Sequence, residues 1–226
     1  MRGKLIVVAG TDGSGKRTQT EMLLAKLRGE GFAAEAISFP QYEESFFGKM
    51  VGQYLRGEFG PSESVHPQLA SVVFALDRWE AKEKLERWLA AGRIVVADRY
   101  TSANAGHQAI KICDPEERRR FIAWVEEMEH GALGLPRPDL TVFLHVPWRT
   151  AQALVDSKGE RAYLQGARRD IHEADEGHMA RAEAAYLEQA RSHANWATVA
   201  CCEGGRILPR EVIAEKVWEA VRRALR

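Results

Sequence analysis

Leu5-Ile6-Val7-Val8-Ala9-Gly10-Thr11-Asp12-Gly13-Ser14-Gly15-Lys16 is the stretch that sets the architecture. Its first five residues are an unbroken apolar run, the pattern of a strand buried on both faces of a parallel sheet. The next seven carry the spacing G-x-x-x-x-G-K, and a helical pattern follows from about Lys16 to Arg28, ended by Gly29 and Gly31. Strand, glycine loop and helix N-terminus in this order make an anion cradle. Successive backbone N–H groups and the helix dipole surround a phosphate, and Lys16 reaches between phosphoryl oxygens. The residues placed on the phosphates are therefore Gly10, Thr11, Asp12, Gly13, Ser14, Gly15, Lys16, Arg17 and Thr18. Arg17 stands where the motif wants Ser or Thr to hold magnesium, and Thr18 points about 100° further around the helix. Three outcomes stay open: magnesium held through water and Asp98, Arg17 supplying charge to the phosphates, or impaired catalysis.

Outward from that loop the chain alternates strand and helix. Strands are expected at Ala33–Phe39, Arg93–Ala97, Leu140–Val146 and Ala197–Cys201. Helices are expected at Phe46–Leu55, over the long stretch Pro67–Ala90, from Pro115 to about His130, near Ala151, from about Ile171 to His193, and from Arg210 to Leu225. In the longest of these, Leu69, Val72, Val73, Leu76, Trp79 and Leu85 fall at roughly helical spacing. The pattern predicts a single three-layer α/β domain over residues 1–226, of the P-loop NTPase kind. It has a central parallel sheet of about five strands flanked by helices. An arginine-rich stretch at about residues 157–170, with Lys158, Arg161, Arg168 and Arg169, reads as a mobile lid. Arginines closing over phosphates would neutralise developing charge and exclude water.

Composition narrows the function. The 226 residues hold 32 Lys+Arg against 32 Asp+Glu, so a grip on a nucleic-acid polymer through bulk positive charge is not expected. The apolar run ending at Ala9 is too short to span a membrane, and three cysteines, Cys113, Cys201 and Cys202, suit a reducing compartment. The expectation is a cytoplasmic protein that handles small phosphorylated molecules. Asp98-Arg99 ends the Arg93–Ala97 strand, where α/β sheets put ligands. There the carboxylate can hold magnesium and the guanidinium can pair with an acceptor phosphate. Phe74 and Arg78, one helical turn apart, share a face that could stack and read a base.

Together, the phosphate loop, Phe39-Pro40, Phe74-Ala75-Leu76-Asp77-Arg78-Trp79-Glu80, Asp98-Arg99-Tyr100, Pro138-Asp139-Leu140 and Asp170-Ile171-His172-Glu173 resemble the thymidylate kinase family over essentially the whole chain. The resemblance implies phosphoryl transfer from ATP, with magnesium, to thymidine monophosphate. It places Asp12 near the acceptor phosphate, Phe74 on the thymine, Arg78 at the base carbonyl, Arg99 on the monophosphate and magnesium at Asp98. Phe39, Pro40, His107 and Gln108 would line the acceptor. His107 falls where the family has Tyr or Phe, and brings a charge that can form near about pH 6–7. Gly13 fills the loop position where one branch carries its catalytic arginine, which leaves Arg161, Arg168 and Arg169 of the lid for that role. The family's habit also implies a homodimer built through helices. Departures are Arg17, Ser38 and Gln41 where phosphate-facing arginine is usual nearby, Ala103 for serine, and Ile171. Ser38 motivates the alternative of a kinase for a free deoxynucleoside or another pyrimidine nucleotide, and Arg17 that of a catalytically impaired nucleotide binder.

Overall fold

The computed structural model describes residues 2–62, 64–156 and 176–225. The lid residues Lys158, Arg161, Arg168 and Arg169, and Asp170-Ile171-His172-Glu173, lie outside the described residues. Five strands, β1 (Leu5–Ala9), β2 (Ala34–Ser38), β3 (Ile94–Asp98), β4 (Leu140–His145) and β5 (Trp196–Ala200), form one sheet in the order β2-β3-β1-β4-β5. Every pairing in it is parallel. Around it run α1 (Lys16–Gly29), α2 (Phe46–Leu55), α3 (Pro67–Glu80), α4 (Lys82–Ala90), α5 (Ser102–His107), α6 (Pro115–Glu126), α7 (Trp148–Asp156), α8 (Glu176–Ser192) and α9 (Arg210–Ala224).

The sheet is sandwiched because successive side chains of a strand face opposite ways. Ile6, Val8, Val96, Val142 and Leu144 pack one way, onto Leu23 and Leu27 of α1 and onto Ile213, Val217 and Val221 of α9. Leu5, Val7, Val95 and Phe143 pack the other way, onto Leu85 and Leu89 of α4 and Tyr186 of α8. Each such aliphatic side chain withdrawn from water contributes about 1.5–3 kcal/mol. That gain holds three layers together and leaves the carboxyl ends of the strands as one working edge.

Two expectations are corrected. The stretch Pro67–Ala90 is two helices, broken at Ala81, where φ −89° and ψ −2° turn the chain. The break lets α4 lay Leu85 and Leu89 on the sheet while α3 buries a different, polar face: Ala70, Ser71, Ala75, Asp77 and Arg78. Leu69 and Trp79 are left exposed (66% and 47%). The helix from Pro115 stops at Glu126 and continues as a wider π-helical turn over Glu127–Ala132, which brings Glu129 to full burial. The apolar pattern also did not show α5 or a short antiparallel hairpin of β6 (Cys202–Glu203) and β7 (Arg206–Ile207).

Candidate active site

Register assembles the working edge. Asp98 pairs with Val8 of β1 on one side and with Ser38 of β2 on the other, so the phosphate loop, Asp98-Arg99 and Phe39-Pro40 emerge side by side. In the loop, Gly13 has φ 81°, and a Cβ there would stand 2.2 Å from the Ala151 carbonyl oxygen. Only glycine lets the loop lie this close to α7. Gly15 (φ 83°) precedes α1, whose first turn holds no acidic residue. That bare N-terminus keeps its positive end for an anion. Lys16 is buried, and its Nζ donates to the Thr11 carbonyl at 2.7 Å. Arg17 turns outward: Nε meets Glu21 Oε1 at 3.0 Å on the surface of α1, with 87% of the side chain exposed.

Two cavities open on this edge. A cleft of about 890 Å³ is lined by Gly13, Gly15, Lys16, Arg17, Thr18 and Asp98. A smaller pocket is lined by Phe74, Arg78, Ala103, Asn104, His107 and Gln108. Asp12, Phe39, Pro40, Tyr42 and Arg99 line both. Asp12 and Arg99 form an ion pair at that junction. Arg99 is the one non-glycine residue with positive φ (64°) among the described residues. Such a conformation costs about 1–3 kcal/mol and persists where the surroundings impose it. Burial alone would lower the Arg99 guanidinium; Asp12, with Asp98 and the tyrosines nearby, outweighs it and holds the charge on. The junction therefore presents a permanent cation beside a carboxylate.

The small pocket is aromatic on one side and polar on the other. Phe74 meets Tyr54 edge to face, with ring centroids 5.9 Å apart. Gln108 is 1% exposed, and neither its Oε1 nor its Nε2 has a hydrogen-bond partner among the described residues. A buried amide without partners costs free energy until a ligand satisfies it, which makes Gln108 a ready contact for a polar ligand edge. Arg78 is fixed by Glu129 through two bonds of 2.8 Å, inside the fold. Burial raises the Glu129 carboxyl, against the downward pull of Arg78 and Asn104.

His107 is 7% exposed, with Nδ1 3.2 Å from His178 Nε2 and its ring stacked on that residue. Burial, reinforced by His178, Arg99 and Lys16 against the opposing Asp12, lowers its pKa well below the ordinary histidine value. The expectation of charge near neutral pH is thus corrected: His107 is a neutral ring against Tyr186 and the pocket.

Of the residues singled out by sequence, Gly10 through Thr18, Phe39, Pro40, Phe74, Arg78, Asp98, Arg99, His107 and Gln108 all fall on this edge or in its two cavities, or in the loop between them. Sequence reasoning missed Tyr42, Asn104, Glu129 and His178. One signal was available for Glu129: it follows Phe121 and Val125 at four-residue steps, so a charged residue continued an apolar face.

A family model described as thymidylate kinase matches residues 8–201. The chain belongs to the thymidylate kinase family. Among its relatives in that family, the thymidylate kinase of Mycobacterium tuberculosis is 33% identical over 186 residues, covering 82% of this chain and 85% of that one. The thymidylate kinase of Schizosaccharomyces pombe is 33% identical over 162 residues (72% and 70%), and the human one 30% over 167 (74% and 71%). The fold is shared with the structure of the Candida albicans thymidylate kinase, at a TM-score of 0.74 and 23% identity over 98% of this chain and 92% of that one. Family, fold and loop agree on a P-loop nucleotide kinase, with phosphoryl transfer to a nucleotide as its class of activity. No helix among the described residues is long and apolar enough to cross a membrane.

Proposed function

We propose that this kinase transfers the terminal phosphoryl group of ATP to thymidine monophosphate, giving thymidine diphosphate and ADP. The observation that carries the reading is that the phosphate-loop cleft and the aromatic pocket meet at Asp12 and Arg99. A donor triphosphate in the first and a nucleoside monophosphate in the second would bring their phosphates together there. An oxygen of the acceptor phosphate attacks the terminal phosphorus of ATP as the bond to the departing ADP oxygen breaks. Lys16 and the loop N–H groups hold donor phosphates, Arg99 orients the acceptor phosphate, and Asp12 holds Arg99. The stack of Phe74, with Arg78 and Gln108 at the base edge, sets the distance. The lid arginines Arg161, Arg168 and Arg169 supply the remaining positive charge, since Gly13 carries none.

The residues present fit a phosphate and a sparsely held magnesium ion. The loop lies too close to α7 for a side chain at Gly13, and Asp98 stands 8% exposed at its mouth. With Arg17 in place of a hydroxyl, Asp98 would hold the ion, mainly through water, as magnesium prefers. When bound, the ion neutralises charge on the donor phosphates.

The reading extends to a homodimer working in the cytoplasm. Leu69, Trp79 and Phe46 are exposed on neighbouring helices, and Cys113, Cys201 and Cys202 are free thiols. The test of activity is an acceptor screen with ATP and magnesium, using thymidine, thymidine monophosphate and other nucleoside monophosphates, with ADP release as readout. Turnover should be greatest with thymidine monophosphate. Preference for free thymidine, or no turnover with any monophosphate, rejects the reading.

A further inference from the structure

Glu129 has its whole carboxylate buried and committed. Oε2 accepts from Arg78 Nε at 2.8 Å, and Oε1 accepts from Arg78 Nη2 and from Asn104 Nδ2, each at 2.8 Å. Its side chain is 0% exposed and that of Arg78 is 2% exposed. An ionised carboxylate only accepts, so it dictates how both partners turn. Arg78 must give it the Nε–Nη2 edge, which leaves Nη1 and its N–H donors. Asn104 must give it the amide nitrogen, whose other N–H reaches the Ser71 carbonyl at 3.2 Å. What remains of the Asn104 amide is its carbonyl oxygen, an acceptor. Both residues line the pocket beside Phe74.

We propose that Glu129 is a positioning residue for base selection: by holding Arg78 as donor and Asn104 as acceptor, it commits the pocket to a base edge with a carbonyl oxygen next to a ring N–H. Thymine and uracil offer that edge. Cytosine offers the reverse, an amino donor next to a ring nitrogen acceptor, and would set donor against donor and acceptor against acceptor. Gln108 imposes no such order, because neither end of its amide is tied among the described residues. The inference rests on the reading of this pocket as the acceptor's base site.

The test compares the wild type with Glu129→Gln and Glu129→Asp, each given ATP, magnesium and either thymidine or deoxycytidine monophosphate. Glutamine keeps the shape but replaces one acceptor oxygen by a donor, so the two partners are no longer both held. The KM for thymidine monophosphate should rise by about tenfold while kcat and the KM for ATP move less, and the preference over deoxycytidine monophosphate in kcat/KM should narrow by about tenfold. A purely structural carboxylate would lower the melting temperature and depress kcat with both acceptors alike, leaving the preference intact. That result overturns the proposal. If Glu129→Gln does not fold, Glu129→Asp decides, because it keeps a carboxylate but draws it back by one methylene from Arg78 and Asn104. A narrowed preference supports the proposal and an unchanged one overturns it. A wild type that phosphorylates neither monophosphate rejects the functional reading itself. A wild type that favours the thymine nucleotide, with variants that keep that preference, rejects only the role of Glu129.

Discussion

Arg17 occupies the helix position from which a hydroxyl would reach magnesium, yet its guanidinium lies on the outer surface of α1 against Glu21. An exposed pair four residues apart contributes only about 0.3–0.5 kcal/mol, so little in the fold depends on it. Arg17→Thr should therefore leave the melting temperature nearly unchanged. It should lower the magnesium concentration needed for half-maximal turnover several-fold, read from a magnesium titration at fixed ATP. A collapse of turnover would instead make Arg17 a ligand of the phosphates. His107 gives a second outcome at this scale. An unfolded histidine takes up its proton near about pH 6.5, whereas the native ring, buried against His178 and Tyr186, resists it to lower pH. Below that pH the unfolded state binds the extra proton, so native stability falls as pH falls, at up to about 1.4 kcal/mol per pH unit for one group. His107→Phe removes this loss. Its melting temperature should decline less than that of the wild type between pH 7.5 and pH 5.5, and an identical decline in both proteins would contradict the assignment.

Among the elements, the buried strands were readable because a parallel strand covered on both faces needs an apolar residue at nearly every position, and β1, β3 and β4 have one. The phosphate loop was readable because its glycines and lysine meet a backbone demand that few other patterns meet. The inner face of α3 was not, since Leu69 and Trp79 of its apolar pattern are exposed while Asp77 and Arg78 are buried. Asp77 accepts from Ser45 Oγ at 2.6 Å and from the Gln41 N–H, and Glu80 accepts from the N–H groups of Phe46 and Phe47. Such polar burial depends on partners more than 30 residues away, which no local pattern records. Asn104 was hidden because its partners, Ser71 and Glu129, lie far along the chain. The periodic position of Glu129 after Phe121 and Val125 was the one local sign of its burial. Glu183 shows what one long-range contact does for an element. From α8 its Oε1 meets His145 Nε2 at 2.8 Å, and its Oε2 accepts from the Trp148 N–H at 2.8 Å, capping the first turn of α7. Thus α7, α8 and the end of β4 are tied on either side of residues 157–175. Glu183→Ala should cost about 1–2 kcal/mol of stability in denaturant unfolding, from the lost cap and charge-assisted bond. A cost below about 0.5 kcal/mol, the level of an ordinary surface change, would show that the tie is incidental.

At the scale of the molecule, the balance of 32 basic and 32 acidic residues conceals an uneven layout. Lys16, Arg78 and Arg99 converge on the two cavities, and Arg78 and Arg99 are each held by a carboxylate that keeps the guanidinium in place. The apolar surface is uneven too. Leu69 and Trp79 stand exposed on α3, and Phe46, 71% exposed, opens the neighbouring α2, where its N–H bonds to Glu80. None of the three belongs to the buried clusters that hold the sheet and helices together. The monomer core is complete without them, so their loss should spare folding and act on association. In the proposed homodimer this face meets its own copy, as an isologous two-fold contact requires. Trp79→Glu would then place a carboxylate on each side of the contact. Light scattering coupled to size exclusion should show the wild type at twice the chain mass and Trp79→Glu at the chain mass, with circular dichroism unchanged. Trp79 lies one residue from Arg78, so separation of the protomers should also raise the KM for the acceptor more than that for ATP. A wild type already at the chain mass, or a Trp79→Glu variant that remains paired, would remove this face from the assembly.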